Sequence, residues 1–175
     1  MRTKAMLRNL SAVGAGILLV AAVLLVWRVG LPQNSRILGE VVPFSADTLD
    51  GQSVTVDTSL DKPIVLNFWA TWCKPCIVEM PRLEDAYQDA DDEWVLVGVN
   101  AGEDPNQVRA WIQEHPVSFP IIIDSTGEIA VSYGAQSQFP TTVFVDRQGY
   151  IRKIVYGLLS ENALEDGLDA IGIEK

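Results

Sequence analysis

Cysteine is scarce in this chain: its 175 residues contain two, Cys73 and Cys76. That excludes a multi-disulfide scaffold and leaves one local pair to explain. Histidine is scarcer still, with His115 alone. A zinc site needs four ligands, and beyond the two thiols this His has no partner His or Cys, so no metal centre is expected. Basic residues are also few, 13 Lys and Arg against 23 Asp and Glu, for a formal net charge of -10. A nucleic-acid binder needs a surplus of Lys and Arg on one face, which this balance does not supply. What the chain does have is apolar content, 48% hydrophobic against 21% charged, the balance of a protein that buries a core.

That content is unevenly spread. Between Arg8 and Arg28 every residue is uncharged, NLSAVGAGILLVAAVLLVW. As a helix rising about 1.5 Å per residue the run would span about 28 Å, close to a bilayer core. A cleaved secretory signal would have a shorter apolar core and a small-x-small site. Here Trp27 and Arg28 are followed by Val29-Gly30-Leu31-Pro32 without that pattern. A buried core helix would carry a polar stripe, and this run has none. Residues 9–28 therefore read as an uncleaved, single-pass transmembrane signal anchor. Arg2, Lys4 and Arg8 precede it and Arg28 alone follows, so the positive-inside rule leaves residues 1–8 in the cytoplasm and carries the rest across the cytoplasmic membrane.

Residues 29–39 read as a linker and 40–175 as one extracytoplasmic domain. Four of the 13 basic residues lie at or before Arg28 and all 23 acids follow it, so residues 29–175 carry nine positive and 23 negative charges, a formal -14. Such a surplus keeps a domain soluble and does not favour an anionic lipid surface. Asp89-Ala90-Asp91-Asp92-Glu93 is its densest run and reads as a solvated loop.

Within the domain, strand and helix patterns alternate. Asp50-Gly51 inside residues 41–57 predicts a β-hairpin. Residues 63–69 (PIVLNFW) and 94–100 (WVLVGVN) are the near-continuous apolar runs of buried parallel strands. A helix should follow the cysteines, carrying Ile77, Met80, Leu83 and Tyr87 and kinked by Pro81. Asp104-Pro105 marks the start of another, with Val108, Trp111 and Ile112 on its apolar face. Residues 119–123 predict a strand and 128–133 a short helix. Residues 141–146 and 150–156 flank Gly149 as a second hairpin. The last helix should start at Ser160, stapled by Leu159 and Leu164. The pattern is α/β: a central mixed sheet covered on both faces.

The chemistry lies between a buried strand and a helix, at Phe68-Trp69-Ala70-Thr71-Trp72-Cys73-Lys74-Pro75-Cys76. Two cysteines separated by two residues at a helix start can close a small disulfide, which leaves the first sulfur beside unpaired N–H groups at the positive helix end. Those groups stabilise the thiolate that attacks another disulfide, and Lys74 adds to the effect. Cys73 is thus the candidate for attack and Cys76 the candidate for resolving the mixed disulfide. A purely structural disulfide is the competing reading, but so short a loop restricts the unfolded chain little.

These residues resemble the active site of the thioredoxin superfamily, and Cys73-x-x-Cys76-x-x-Glu79-x-Pro81 is similar to its membrane-anchored ResA/TlpA group. The resemblance runs in order through Val97-Gly98-Val99-Asn100, Glu103, residues 139–146 and the Gly149 hairpin. It implies a thioredoxin-like fold with an N-terminal β-hairpin and an inserted β-α element. It also implies disulfide exchange at Cys73 and Cys76, a cis-proline at Pro140, and substrate binding at Trp72, Phe139 and Pro140. The buried carboxylate that thioredoxin carries on the strand before the motif corresponds here to Asn67, which cannot exchange a proton. Glu79, one helical turn beyond Cys76, is then the available general acid/base, a solvent-facing helix glutamate being the competing reading. Glu103 is a possible second acid, or equally a loop residue before the Asp104 cap. His115 reads as a surface or capping residue.

The group resemblance further implies no cofactor, protein disulfides as substrates, apocytochrome c haem-binding cysteines among them, and a membrane electron donor of the CcdA/DsbD type. The direction of exchange is not fixed by a Cys-x-x-Cys motif, since such proteins span about -120 to -270 mV. The resemblance favours a reductant, with an oxidant, an isomerase or a copper-site assembly module as alternatives. The thiols have no suitably placed His or Met beside them for copper. A peroxidase would need its own pattern around a peroxidatic cysteine, which this motif does not resemble.

Overall fold

The structure is a computed structural model and describes residues 38–173. The stretches expected as a cytoplasmic segment (1–8) and a signal anchor (9–28), and most of the expected linker, lie outside the described residues, among which no helix is long and apolar enough to cross a membrane.

In chain order the elements are β1 (Gly39–Glu40), β2 (Phe44–Asp47), β3 (Ser53–Val56), β4 (Ile64–Trp69), α1 (Lys74–Gln88), β5 (Val95–Asn100), α2 (Pro105–Glu114), β6 (Ile121–Ile123), α3 (Glu128–Ser132), β7 (Thr141–Val145), β8 (Tyr150–Tyr156) and α4 (Glu161–Ala170). Strand pairing already starts inside the predicted linker, where the Leu38 N–H donates to the Ile151 carbonyl at 2.8 Å. Six strands form one sheet in the order β1-β8-β7-β4-β5-β6. β4, β5 and β6 run parallel, and β7, β8 and β1 add antiparallel neighbours. β2 and β3 form the separate hairpin expected around Asp50-Gly51, and the Leu49 N–H reaches the Ile121 carbonyl on the edge strand β6 at 2.8 Å.

β4 is buried along its whole length, and strand alternation divides it between two cores. Ile64, Leu66 and Phe68 pack with Val97, Val99, Val143 and Val145 on one face. Val65 and Trp69 pack on the other, under Cys76, Met80 and Leu83 of α1 and Leu164 and Leu168 of α4. Asn67 shares that second face by the same period of two. A polar side chain is thereby aimed from mid-strand at the buried side of α1.

The helix starts are local. Asp104 accepts hydrogen bonds from the N–H groups of Asn106 and Gln107, with Pro105 at the first position of α2. Ser160 accepts from the Ala163 N–H at the start of α4, and Leu159 and Leu164 are both buried as a staple requires. Gly167 costs α4 helix propensity, about 1 kcal/mol against Ala. The reason is contact: a Cβ there would sit 2.3 Å from the Phe144 ring. Gly149 turns the β7–β8 hairpin at φ 76. α1 runs through Pro81 without ending. The acidic loop after α1 is exposed at Asp89 and at 91–93, though Ala90 is buried, and Lys62 pairs with Asp92 across it.

Candidate active site

Cys73 and Cys76 form a disulfide at the junction of β4 and α1, with their Cα atoms 5.2 Å apart. Cys73 is the N-cap of α1 in extended conformation. Its sulfur therefore stands where the helix presents unpaired N–H groups, and the Cys76 N–H points to it at 3.2 Å. A thiolate formed on Cys73 would meet the same N–H and the positive helix end. Lys74 is exposed at the first helical position. Cys73 is 4% exposed and Cys76 0%, so the first cysteine is the less deeply buried of the two.

Trp72 projects beside it, 65% exposed, and meets the Phe139 ring edge-on at 5.9 Å. The Phe139–Pro140 peptide bond is cis. The Pro140 carbonyl accepts from the Gly157 N–H at 2.8 Å, which ties the proline to the loop after β8. Trp72, next to Cys73, and Phe139 of the cis Phe139–Pro140 pair, distant in sequence, are thus brought into contact.

Behind the cysteines the structure places Glu79 in the core, 0% exposed, on the buried face of α1 with Cys76, Met80 and Leu83. It is no solvent-facing glutamate. The Asn67 amide donates to its Oε1 at 2.8 Å, and the Leu159 N–H donates to its Oε2 at 2.7 Å. Asn67 also donates to Thr142 Oγ1 at 3.1 Å, its partner across β4 and β7. Burial pushes the Glu79 carboxyl above its ordinary value near 4.5, opposed by the Leu159 N–H, the Asn67 amide and the positive charge of Arg82. A buried carboxyl with a raised proton affinity, one turn from a buried cysteine, has the character of a general acid/base candidate.

Glu103 is elsewhere and otherwise engaged. It lies half-buried after β5 and takes four donors: the Thr71 N–H at 2.7 Å, Thr71 Oγ1 at 2.5 Å, Asn100 Nδ2 at 2.8 Å and Gln107 Nε2 at 3.2 Å. Its carboxylate fastens the turn before Cys73 to the start of α2. His115 ends α2, exposed and stacked on Trp111 at 4.3 Å. Sequence reasoning missed Thr142, Leu159 and Arg82. Thr142 had a signal, a polar residue in an apolar strand. The Leu159 N–H had none, because a backbone donor leaves no mark in a sequence.

The chain matches the AhpC/TSA family over residues 38–154. It is 38% identical over 135 residues to the thioredoxin-like protein YneN of Bacillus subtilis, covering 75% of this chain and 78% of that one. It is 32% identical over 136 residues to the thiol-disulfide oxidoreductase ResA of Geobacillus thermodenitrificans, with 77% and 78% covered. Among solved structures it superimposes on MTB dsbF with a TM-score of 0.66 at 32% identity, covering 73% of this chain and 94% of that one.

Proposed function

Since this chain belongs to the AhpC/TSA family of thioredoxin-like proteins and is a thiol–disulfide oxidoreductase, we propose that it acts as a reductant of disulfides in exported proteins. Three groups do the chemistry. The Cys73 thiolate attacks one sulfur of a substrate disulfide, and the other sulfur leaves as a thiolate. Cys76 then gives its proton to Glu79 and attacks Cys73 Sγ, releasing the second substrate thiol and closing the Cys73–Cys76 bond. Two electrons pass to the substrate, and the protein is left oxidised for a membrane donor of the CcdA/DsbD type to reduce.

The observation that carries this reading is the buried Glu79, one turn beyond the fully buried Cys76. A resolving thiol shut away from water needs a proton acceptor inside the protein. Trp72, Phe139 and Pro140 supply the surface on which an extended substrate segment would lie. Glu103 serves as a positioning residue for Thr71 in place of a second acid.

The resemblance to the ResA/TlpA group, with relatives named thiol-disulfide oxidoreductase ResA, supports apocytochrome c haem-binding cysteines as one substrate class, in cytochrome c maturation. The apolar run at 9–28 and the basic residues before it support a single-pass anchor with the catalytic domain outside the cytoplasm. Trapping tests the substrate: Cys76→Ser in cells should hold it as a mixed disulfide on Cys73, and Cys73→Ser should trap nothing. A midpoint potential near that of a strong oxidant, about -120 mV, would overturn the direction proposed.

A further inference from the structure

Leu159 is gripped at both ends of its backbone by the same helix. Its N–H donates to Glu79 Oε2, and its carbonyl accepts from Arg82 Nη1. Glu79 and Arg82 are three residues apart on α1, so they reach the Leu159 segment from one helix face. That segment is short and busy. Gly157, two residues earlier, bonds the Pro140 carbonyl, and Ser160, the next residue, caps α4. Arg82 therefore fastens a loop that touches the cis-proline on one side and the buried carboxyl on the other.

We propose that Arg82 is a positioning residue for the exchange reaction, holding the Leu159 segment against Glu79 so that this carboxylate stays placed and charged when Cys76 must give up its proton. The inference rests on the proton-transfer role proposed for Glu79. Two effects act together. Without the Arg82 donor the Leu159 carbonyl loses its anchor, and the N–H on Glu79 Oε2 loosens with it. Without the positive charge the ionised form of Glu79 loses an attraction that offsets part of its burial. The other groups set against Glu79 are neutral: Asn67 on β4, backed by Thr142 on β7, and the Leu159 backbone before α4. Arg82 is the charged partner among the described residues, so removing it has no nearby substitute.

The test is the pH dependence of single-turnover reduction of a disulfide-bonded two-cysteine peptide by the reduced, detergent-solubilised full chain. Wild type, Arg82→Met, Arg82→Lys, Glu79→Gln and the double variant Glu79→Gln/Arg82→Met are compared. Arg82→Met should move the midpoint of the rising rate to higher pH by about half to one pH unit, a three- to tenfold loss of rate below it. Arg82→Lys should restore most of that loss, since it returns both charge and donor. In the Glu79→Gln background the Met change should add nothing. If Arg82→Met folds poorly, Arg82→Gln keeps a donor for Leu159 without the charge and should shift the midpoint the same way. An unmoved midpoint in the Met or Gln variant, or an equal loss with and without Glu79, overturns the role of Arg82. A Glu79→Gln protein with an unchanged pH profile instead overturns the role of Glu79, and the two failures are distinct.

Discussion

Two carboxylates flank the cysteine turn, and the inner and outer flanks treat them in opposite ways. On the inner flank Glu79 is fully buried, with one side-chain donor and one backbone donor, and burial holds its proton affinity above the ordinary range. On the outer flank Glu103 is half-buried and takes four donors from Thr71, Asn100 and Gln107. The same functional group is left with a raised proton affinity where it is buried among few donors, and fastens a turn where its donors are many. Distance from the thiols along the chain does not make this distinction. The surroundings of each carboxylate do.

The sharpest way to break the contrast is kinetic. Glu79→Gln should slow peptide disulfide reduction by about 10²–10⁴-fold, the range of a lost general acid/base, while Glu103→Gln should cost less than about tenfold. Equal losses would show that both carboxylates serve the reaction in the same way. Stability should order them the other way. Glu103→Ala strands the Thr71 N–H and the Asn100 amide, so urea unfolding of the oxidised protein should lose about 1–3 kcal/mol. A loss near zero would demote the outer flank to a surface contact.

The inner flank should also announce itself through pH. The folded state holds the Glu79 proton more tightly than the unfolded chain does. The stability this gives is complete below the ordinary value near 4.5 and is lost as pH rises through the higher folded value. Oxidised wild type should therefore lose stability relative to Glu79→Gln over that interval, read by urea unfolding at steps from about pH 4 to about pH 8. A constant difference between the two proteins would mean that Glu79 does not titrate there. The smallest effect belongs to Gln107, an exposed residue giving one of the four donors to Glu103. Gln107→Ala should stay within about 0.5 kcal/mol of wild type, and a larger loss would mean that the outer clamp has no redundancy.

Much of the frame was legible from local pattern. The apolar runs of β4 and β5, the Asp104-Pro105 and Ser160 starts, the Leu159–Leu164 staple and the Gly149 hairpin all depend on neighbours within a few residues. Pairing that begins at Leu38 was not legible, because a two-residue edge strand has no periodicity to show.

The sequence by itself determined where the redox pair stands and which cysteine caps the helix, since a strand, a turn and a helix start are set by adjacent residues. It also put Glu79 one turn beyond Cys76, because helix geometry is local. Tertiary structure alone decided what that glutamate is. Its burial, the Asn67 amide aimed by strand alternation and the Leu159 N–H and Arg82 contact all come from packing α1 between β4 and the start of α4. A carboxyl's proton affinity is set by the dielectric and the donors around it, and those are supplied by segments that only folding brings together.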